Sequence, residues 1–157
     1  MTGAGNFAFA NPQRRRKALI LGLTLTLFAC AVYRPRHEVD LNSLPQLRTQ
    51  SDGGVRVNAA VLSAGESKRF FGVPVYDSGV QPLWLSIRNQ DQVPYAFLTI
   101  GIDQNIFSPL EAAYRNHYRL SFFENGKMNA YFLQNAIGQI VPPKETVSGF
   151  VYTNKDL

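Results

Sequence analysis

The chain has 157 residues, of which 45% are hydrophobic and 17% charged, a globular composition that argues against a disordered, collagen-like or polytopic membrane protein. Its single cysteine excludes a disulfide scaffold and a four-cysteine zinc site within one chain. The formal net charge of +5 would favour a nucleic-acid partner if the cations lay on the folded part of the chain.

The excess of cations lies at the N-terminus instead. Residues 1–36 contain six basic residues and no acidic residue. Residues 37–157 contain ten basic residues against eleven acidic ones, which is a net charge of −1. Because nucleic-acid binding depends on neutralising phosphates with lysine and arginine, this distribution argues against a nucleic-acid partner.

The N-terminal charge pattern predicts a membrane-targeting segment. A basic cluster at residues 14–17 directly precedes residues 18–32, fifteen residues without a charge. Cations that stay on the cytoplasmic side while an apolar segment enters the bilayer are typical of signal sequences and anchors. As a helix the segment would reach about 22 Å, less than the roughly 30 Å of a hydrocarbon core. We therefore interpret residues 1–32 as a signal peptide or membrane anchor that forms an N-terminal membrane-targeting helix.

Three fates of this segment remain open. Residues 27–30 (Leu-Phe-Ala-Cys) resemble a bacterial lipobox, in which the cysteine is lipidated and becomes the mature N-terminus, and Phe28 departs from the small or β-branched residue usual in that motif. Cys30 is then the lipidation site. Residues 29–31 (Ala-Cys-Ala) also fit cleavage by ordinary signal peptidase. The third alternative is an uncleaved anchor with two arginines on its outer flank. The sequence thus predicts a cell-envelope protein whose remaining residues are extracytoplasmic (periplasmic).

Residues 33–54 are predicted to be a flexible tether. They contain two prolines, end in Gly-Gly and have too few periodic apolar positions to pack alone. The apolar side chains of Val39, Leu41, Leu44 and Leu47 would let part of the tether lie along the folded body. That body is predicted to be a β-rich extracytoplasmic domain over residues 55–157.

The first half of the domain is predicted to contain three strands and a short helix. Residues 55–62 alternate as a strand, and Ser63-Ala-Gly-Glu66 is a capping box for a helix that ends at Gly72. Residues 80–88 form the clearest strand, with Leu83, Leu85 and Ile87 on one face and Val80, Pro82, Trp84 and Ser86 on the other. Pro82 is expected at a sheet edge or near the strand start. Residues 93–100 are predicted to pair with it as a hairpin.

The second half is predicted to be helical before it returns to a strand. Ser108-Pro-Leu-Glu111 is a second capping box, for a helix from Pro109 to about Tyr118. Between residues 119 and 139 the apolar residues have helical spacing, with Asn125-Gly126 as punctuation. A last strand is predicted over residues 147–153.

Three stretches of the chain resemble known proteins. Residues 71–89 (FGVPVYDSGVQPLWLSIRN) and 107–114 (FSPLEAAY) are similar to uncharacterised bacterial cell-envelope proteins with a domain of the LssY C-terminal type. Residues 142–151 (PPKETVSGFV) are similar to the approach to a late strand of immunoglobulin-like sandwiches. The resemblance covers roughly residues 55–153 and implies a membrane-associated, mainly β (β-rich α+β) module: an immunoglobulin-like β-sandwich with one or two short helices. It implies no catalytic residue.

The end of the chain fits a sandwich incompletely. After residues 147–153 a sandwich would continue into a return strand, whereas the given sequence stops at Leu157. Either residues 147–153 are the closing strand, or the domain is truncated at its C-terminus and has an exposed edge that needs a partner.

No catalytic motif is present: the sequence lacks H-E-x-x-H, G-x-S-x-G, a P-loop, G-x-G-x-x-G and an EF-hand loop. His117 follows a predicted helix, where the macrodipole favours a cation. It is six residues from Glu111, off the spacing of helical neighbours. Ser78, in Asp77-Ser-Gly79, is interpreted as a turn residue.

The sequence therefore predicts a membrane-tethered, non-catalytic interaction or structural module. We expect it to have a protein partner of unknown identity and neither a cofactor nor a metal. The alternative is an envelope enzyme or accessory subunit with a site near Glu111 and His117.

Overall fold

The computed structural model describes residues 31–36, 44–102 and 104–155. The chain divides after Cys30, and the residues from Ala31 onward form one unit. The strands of this unit are β1 (Arg48–Asp52), β2 (Val55–Val61), β3 (Val80–Asn89), β4 (Tyr95–Ala96), β5 (Ile140–Val141) and β6 (Thr146–Asn154). Its α-helices are α1 (Ala64–Phe71), α2 (Pro109–Tyr114) and α3 (Phe122–Gln134), and short 3-10 turns cover Val75–Ser78, Thr99–Gly101 and His117–Arg119.

Four strands form one antiparallel sheet in the order β1-β2-β3-β6. Strands β4 and β5 form a separate two-stranded antiparallel sheet. The described residues are therefore mixed α+β with a substantial sheet. They do not confirm an immunoglobulin-like sandwich, and the predicted N-terminal helix, apart from its last two residues, lies outside the described ranges.

One side of the large sheet, the helix-covered face, holds the larger core. Strand residues that alternate by two point to this side, because successive side chains of a strand project to opposite faces. They are Ala60, Val80, Trp84, Phe150 and Tyr152, and they are buried against apolar side chains of the helices, among them Phe70, Phe71, Met128, Tyr131 and Phe132.

The other side, the open face, is only half covered. Leu85, Ile87 and Val151 are buried there under Ile137 and Val141, in and beside the small sheet. The neighbouring residues of β2 on the same face are only half-buried. The alternation of Leu83, Leu85 and Ile87 against Val80, Pro82, Trp84 and Ser86, predicted from the sequence, is confirmed.

The helix boundaries follow the local signals closely. Ser63 caps α1 in a complete capping box, because its hydroxyl accepts from the Glu66 N–H at 3.3 Å and the Glu66 carboxylate accepts from the Ser63 N–H at 2.7 Å. Gly72 ends α1 at φ 69°, a left-handed conformation that favours glycine. Ser108 caps α2 as predicted, but that helix ends at Tyr114 rather than near Tyr118.

Two predictions about the middle of the chain are wrong. Strand β3 pairs with β2 and β6, so residues 93–100 do not form a hairpin with it. The Asn89 side chain redirects the chain, because its Nδ2 donates to the carbonyls of Val93 (2.7 Å) and Val141 (3.2 Å). In addition, Asn125-Gly126 lies inside α3 and does not interrupt it.

Two further predictions concern the position of Pro82 and the segment before the domain. Pro82 is near the start of β3, as predicted, although β3 is a central strand. Residues 33–54 contain β1. Of the four apolar side chains expected to lie along the folded body, Leu44 and Leu47 pack against the core. Val39 and Leu41 lie outside the described residues.

Within the described ranges, no helix is both long and apolar enough to cross a membrane. Residues 18–30 of the predicted apolar segment lie outside these ranges.

Candidate functional site: an uncovered groove on the sheet

The uncovered half of the open face forms a groove, which we call the sheet groove. Its floor consists of Val55, Val57 and Ala59 of β2, and Arg48 and Asp52 of β1 stand along its rim. Two adjoining depressions of about 390 and 380 Å³ make up the groove, and they share Arg48 and Ala59. The second depression is lined by Pro45, Gln46, Arg48, Ala59, Val61 and Leu83.

The strand register explains why this apolar floor is accessible. Arg48 lies opposite Ala59, Gln50 opposite Val57 and Asp52 opposite Val55, so polar side chains of β1 share a face with small apolar side chains of β2. All five residues of β1 are exposed. Side chains in and beside the small sheet cover the part of the face formed by β3 and β6. The floor is consequently apolar, and its covering stops short of β1.

The two edges of the large sheet differ. At the β6 edge, Phe107 N–H donates to the Tyr152 carbonyl at 2.8 Å, and Phe150 N–H donates to the Asn135 carbonyl at 2.8 Å. Among the described strands, β1 has only β2 as a neighbour, so its outer edge carries no further strand. Exposed N–H and C=O groups of an edge strand are a template for pairing with another extended segment.

The turn between β1 and β2 forms one end of the groove. Gly53 adopts φ +53°, and a Cβ on Gly54 would overlap the carboxylate of Asp91. That carboxylate accepts a hydrogen bond from the Tyr95 hydroxyl at 2.7 Å, an interaction that raises the pKa of Tyr95. The Gly-Gly pair is therefore a tight turn within the sheet.

The two residues singled out for the enzyme alternative have different hydrogen-bond partners. Glu111 is exposed, and its N–H donates to Ser108 Oγ at 3.2 Å. His117 Nε2 lies 2.8 Å from Asn129 Oδ1. In the described part of the chain, no hydrogen bond or ion pair joins Glu111 to His117. Cys30 lies outside the described residues.

Glu111 does line a second cleft, at the closed edge of the sheet. The cleft has a volume of about 510 Å³ and is lined mainly by apolar residues, including Ile106, Phe107, Ile137 and Val151. Glu111 is the only carboxylate among its described lining residues, and His117 is not one of them. A single exposed carboxylate does not supply an acid–base pair, whose members must reach the same reacting group.

The described residues include no cluster of three or more His, Cys, Asp or Glu side chains that could hold a metal ion. Ser78 Oγ donates to Asn116 Oδ1 at 2.9 Å. Because a side-chain amide is not a general base, this contact fits the turn interpretation of Ser78 rather than a nucleophile.

The sequence did not indicate two surfaces that the structure presents. Strand β1 was not foreseen, because it lacks the apolar alternation that identifies strands. Four aromatic residues around the start of α3 are strongly exposed, although helical spacing suggested packing for two of them: Tyr114, Tyr118, Phe122 and Phe123.

No family model, no curated protein and no solved structure matches the chain. The resemblance to domains of the LssY C-terminal type stays a prediction. A proposal about function therefore rests on the geometry of the described residues and on the charge pattern of the N-terminus.

Proposed function

We propose that this protein is a non-catalytic interaction module, tethered to a membrane of the bacterial cell envelope, and that the sheet groove binds an extended segment of a partner protein. The observation that carries the proposal is an apolar floor left uncovered directly beside the open edge of β1. A segment added to that edge would form backbone hydrogen bonds and place every second side chain on the same face of the sheet as the floor, beside Arg48, Gln50 and Asp52.

The rim of the groove favours a particular kind of segment. Arg48 and Asp52 have opposite charges and stand at the two ends of β1, roughly 13 Å apart along a strand of five residues. Val57 and Ala59 between them leave room for small or medium apolar side chains. We therefore expect a partner segment with an apolar middle, an acidic residue near Arg48 and a basic residue near Asp52.

The tether and the location belong to the same proposal. The basic cluster at residues 14–17 and the apolar residues 18–32 support a signal or anchor that places the domain on the extracytoplasmic side. Cys30 is the proposed lipidation site. The packing of Val141 and Ile137 on Leu85 and Ile87 supports an interpretation of β4 and β5 as a reduced second layer of an immunoglobulin-like sandwich.

Site-specific photocrosslinking tests the groove in the full chain. A photoreactive amino acid replaces Val57 in the groove or, as a matched control, Asn58, whose side chain points to the opposite face of the same strand. In bacterial membranes the Val57 position should yield a discrete adduct with one protein, and the Asn58 position should not. A folded, membrane-bound chain that gives no adduct at Val57 contradicts the proposal.

Two further measurements establish how the segment binds. Val57→Asp should weaken binding at least about tenfold, since it places a charge on an apolar floor, whereas Asn58→Asp should leave binding nearly unchanged. The crosslinked segment, made as a peptide, should slow amide hydrogen exchange in β1 because the added strand covers those N–H groups. Unchanged exchange in β1 would show that the partner does not pair with the sheet edge.

A further inference from the structure

The start of the described domain is fixed against its helices. The Tyr33 N–H donates to Glu124 Oε2 at 2.7 Å, and the Tyr33 ring contacts the Tyr131 ring edge-on, with 6.2 Å between centroids. Tyr33 is buried in the larger core. The Glu124 carboxylate also accepts from Lys127 Nζ at 2.6 Å, and these contacts lower the pKa of Glu124. The chain therefore enters the domain beside the first turn of α3.

The residues that follow are held by α1. The Arg36 N–H donates to the Arg69 carbonyl at 3.2 Å. The backbone of Arg34 passes so close to Gly72 that a Cβ there would lie 2.9 Å from the Arg34 carbonyl carbon. Residues 33–36 thus have a defined path along the helices rather than that of a loose linker.

An exposed aromatic surface, which we call the aromatic end, lies next to the place where the chain enters the domain. It consists of Tyr118, Phe122 and Phe123, whose exposed fractions are 74%, 86% and 80%. The rings of Phe122 and Phe123 meet edge-on with centroids 5.9 Å apart. Phe123 directly precedes Glu124, which binds the Tyr33 N–H. Two adjacent phenylalanines exposed to this degree are unusual for a surface that remains in water.

The side chain of Arg119 places a positive charge directly at the aromatic end. The Arg119 guanidinium lies 4.6 Å from the centre of the Tyr118 ring. Further cations on residues 33–36, α1 and α3 are exposed, namely Arg34, Arg36, Lys68, Arg69 and Lys127. Of the carboxylates on these elements, Glu124 is engaged by Lys127 and Tyr33, and Glu66 is engaged by Ser63 and attracted by Arg69. This combination of exposed aromatic rings and cations is typical of surfaces that lie at an anionic membrane interface.

We infer that the aromatic end rests on the bilayer to which the N-terminal segment tethers the chain. Phe122 and Phe123 enter the boundary between headgroups and acyl chains, and the cations contact anionic headgroups. The inference rests on the membrane tether of the proposed function. Only three residue steps separate Cys30 from Tyr33, and they span at most about 10 Å. A lipid on Cys30, or an anchor that ends near it, therefore keeps the first turn of α3 close to the membrane surface.

This orientation also suits the sheet groove. Helix α3 packs on the helix-covered face, whereas the groove is on the opposite face of the same sheet. A domain that rests on the bilayer through the aromatic end thus leaves the groove accessible to a partner.

Depth-dependent fluorescence quenching tests the orientation in the full chain. The protein contains one tryptophan, Trp84, which is 5% exposed in the core and serves as an internal reference. The reporter is Phe122→Trp, and the matched control is Leu98→Trp, at a residue that is 71% exposed beside the small sheet. Both variants are reconstituted in phosphatidylglycerol vesicles with lipids brominated near the headgroup.

When vesicles are added, the fluorescence emission of Phe122→Trp should shift to shorter wavelength and be quenched by the brominated lipid. The emission of Leu98→Trp should show neither change. Replacing phosphatidylglycerol with phosphatidylcholine should weaken the quenching by about twofold or more, because the cations lose their anionic partners. Equal quenching of both variants, or quenching of neither, overturns the inference. Equal quenching of Phe122→Trp in the two lipids would show that the cations do not contribute to the contact with the membrane.

Vesicle flotation distinguishes this failure from failure of the tether. A chain that floats with the vesicles while Phe122→Trp remains unquenched refutes the orientation and leaves the tether intact. A full chain that does not float with the vesicles refutes the tether, and the orientation with it.

Discussion

The two faces of the same four-stranded sheet have opposite characters. On the helix-covered face, the Phe71 ring contacts five other aromatic rings, with centroids between 4.7 and 6.3 Å away. On the uncovered half of the open face, Val57 and Ala59 are half-buried and line a groove. Alternate residues of one strand can thus serve stability and recognition separately, because they point to opposite sides.

The two faces contribute unequally to the free energy of folding. Buried aromatic side chains remove large apolar areas from water and gain further from edge-on ring contacts. Half-buried valines next to solvent contribute much less on folding, and the remainder of their apolar surface stays available to a partner. We therefore expect substitutions to affect mainly folding on the first face and mainly binding on the second.

Phe71→Ala should have the largest effect on this comparison. It deletes a fully buried ring at the centre of the aromatic cluster and should reduce the free energy of unfolding by about 3–5 kcal/mol. Denaturant unfolding of the full chain, followed through Trp84, measures this loss. Val57→Ala in the groove is the control and should cost about 1 kcal/mol or less. Comparable losses for the two variants would show that the groove floor is as much a part of the core as Phe71.

Gly149→Ala tests the covered half of the open face. A Cβ on Gly149 would lie 2.5 Å from the Ile137 nitrogen and 2.7 Å from the Ala136 carbonyl carbon, and backbone atoms cannot rotate away. We expect a loss of about 1–3 kcal/mol.

The matched control for this substitution is Gly126→Ala in α3, where a Cβ would meet nothing within 4 Å. Alanine should stabilise the helix there by roughly 0.5–1 kcal/mol. A neutral Gly149→Ala would mean that residues 136 and 137 do not close the β6 edge as tightly as the geometry indicates.

The features that the sequence predicted correctly depend on neighbours in the chain. Ser63, Glu66 and Gly72 define both ends of α1 through contacts within one or two turns. The two faces of β3 follow from alternation alone. Such features are readable because the interacting groups lie a few residues apart.

The features that were missed depend on distant partners. Strand β1 carries five exposed, polar or charged side chains and is a strand because β2 pairs with it. The predicted hairpin failed because residue Trp84 pairs with Phe150, 66 residues later, rather than with the next apolar segment. The groove could not be inferred for the same reason, since it is defined by where the covering of a sheet face stops.

The exposed aromatic residues could have been recognised from the helical phase. The buried residues of α3 are Met128, Tyr131 and Phe132, which lie on one side at steps of three and four. Phe122 and Phe123 are six and five residues before Met128, which places both of them more than about 100° away from that side. Spacing among the apolar residues alone did not distinguish these two directions.

Of the three substitutions that test stability, Ser63→Ala should have the smallest effect. The Ser63 hydroxyl and N–H both donate to Glu66, at 2.6 and 2.7 Å, and these bonds lower the pKa of Glu66 from its usual 4.5. Removal of the hydroxyl should cost about 1 kcal/mol near neutral pH, as is usual for a helix cap.

The pH dependence of this cost separates the two hydrogen bonds of the Ser63 hydroxyl, one to the Glu66 carboxylate and one from the Glu66 N–H. A lowered pKa in the folded state means that the contribution of Glu66 is complete above its unfolded pKa, near 4.5, and is lost as the pH falls through the lower folded value. The gap between wild type and Ser63→Ala should therefore narrow on going from pH 7 to pH 3 in denaturant unfolding. Glu66→Gln should likewise make the free energy of unfolding depend less on pH over this range, whereas Val57→Ala should have the same pH dependence as the wild type. A gap that stays constant with pH would mean that the Ser63 hydroxyl stabilises α1 through the bond that it accepts from the Glu66 N–H and not through the Glu66 carboxylate.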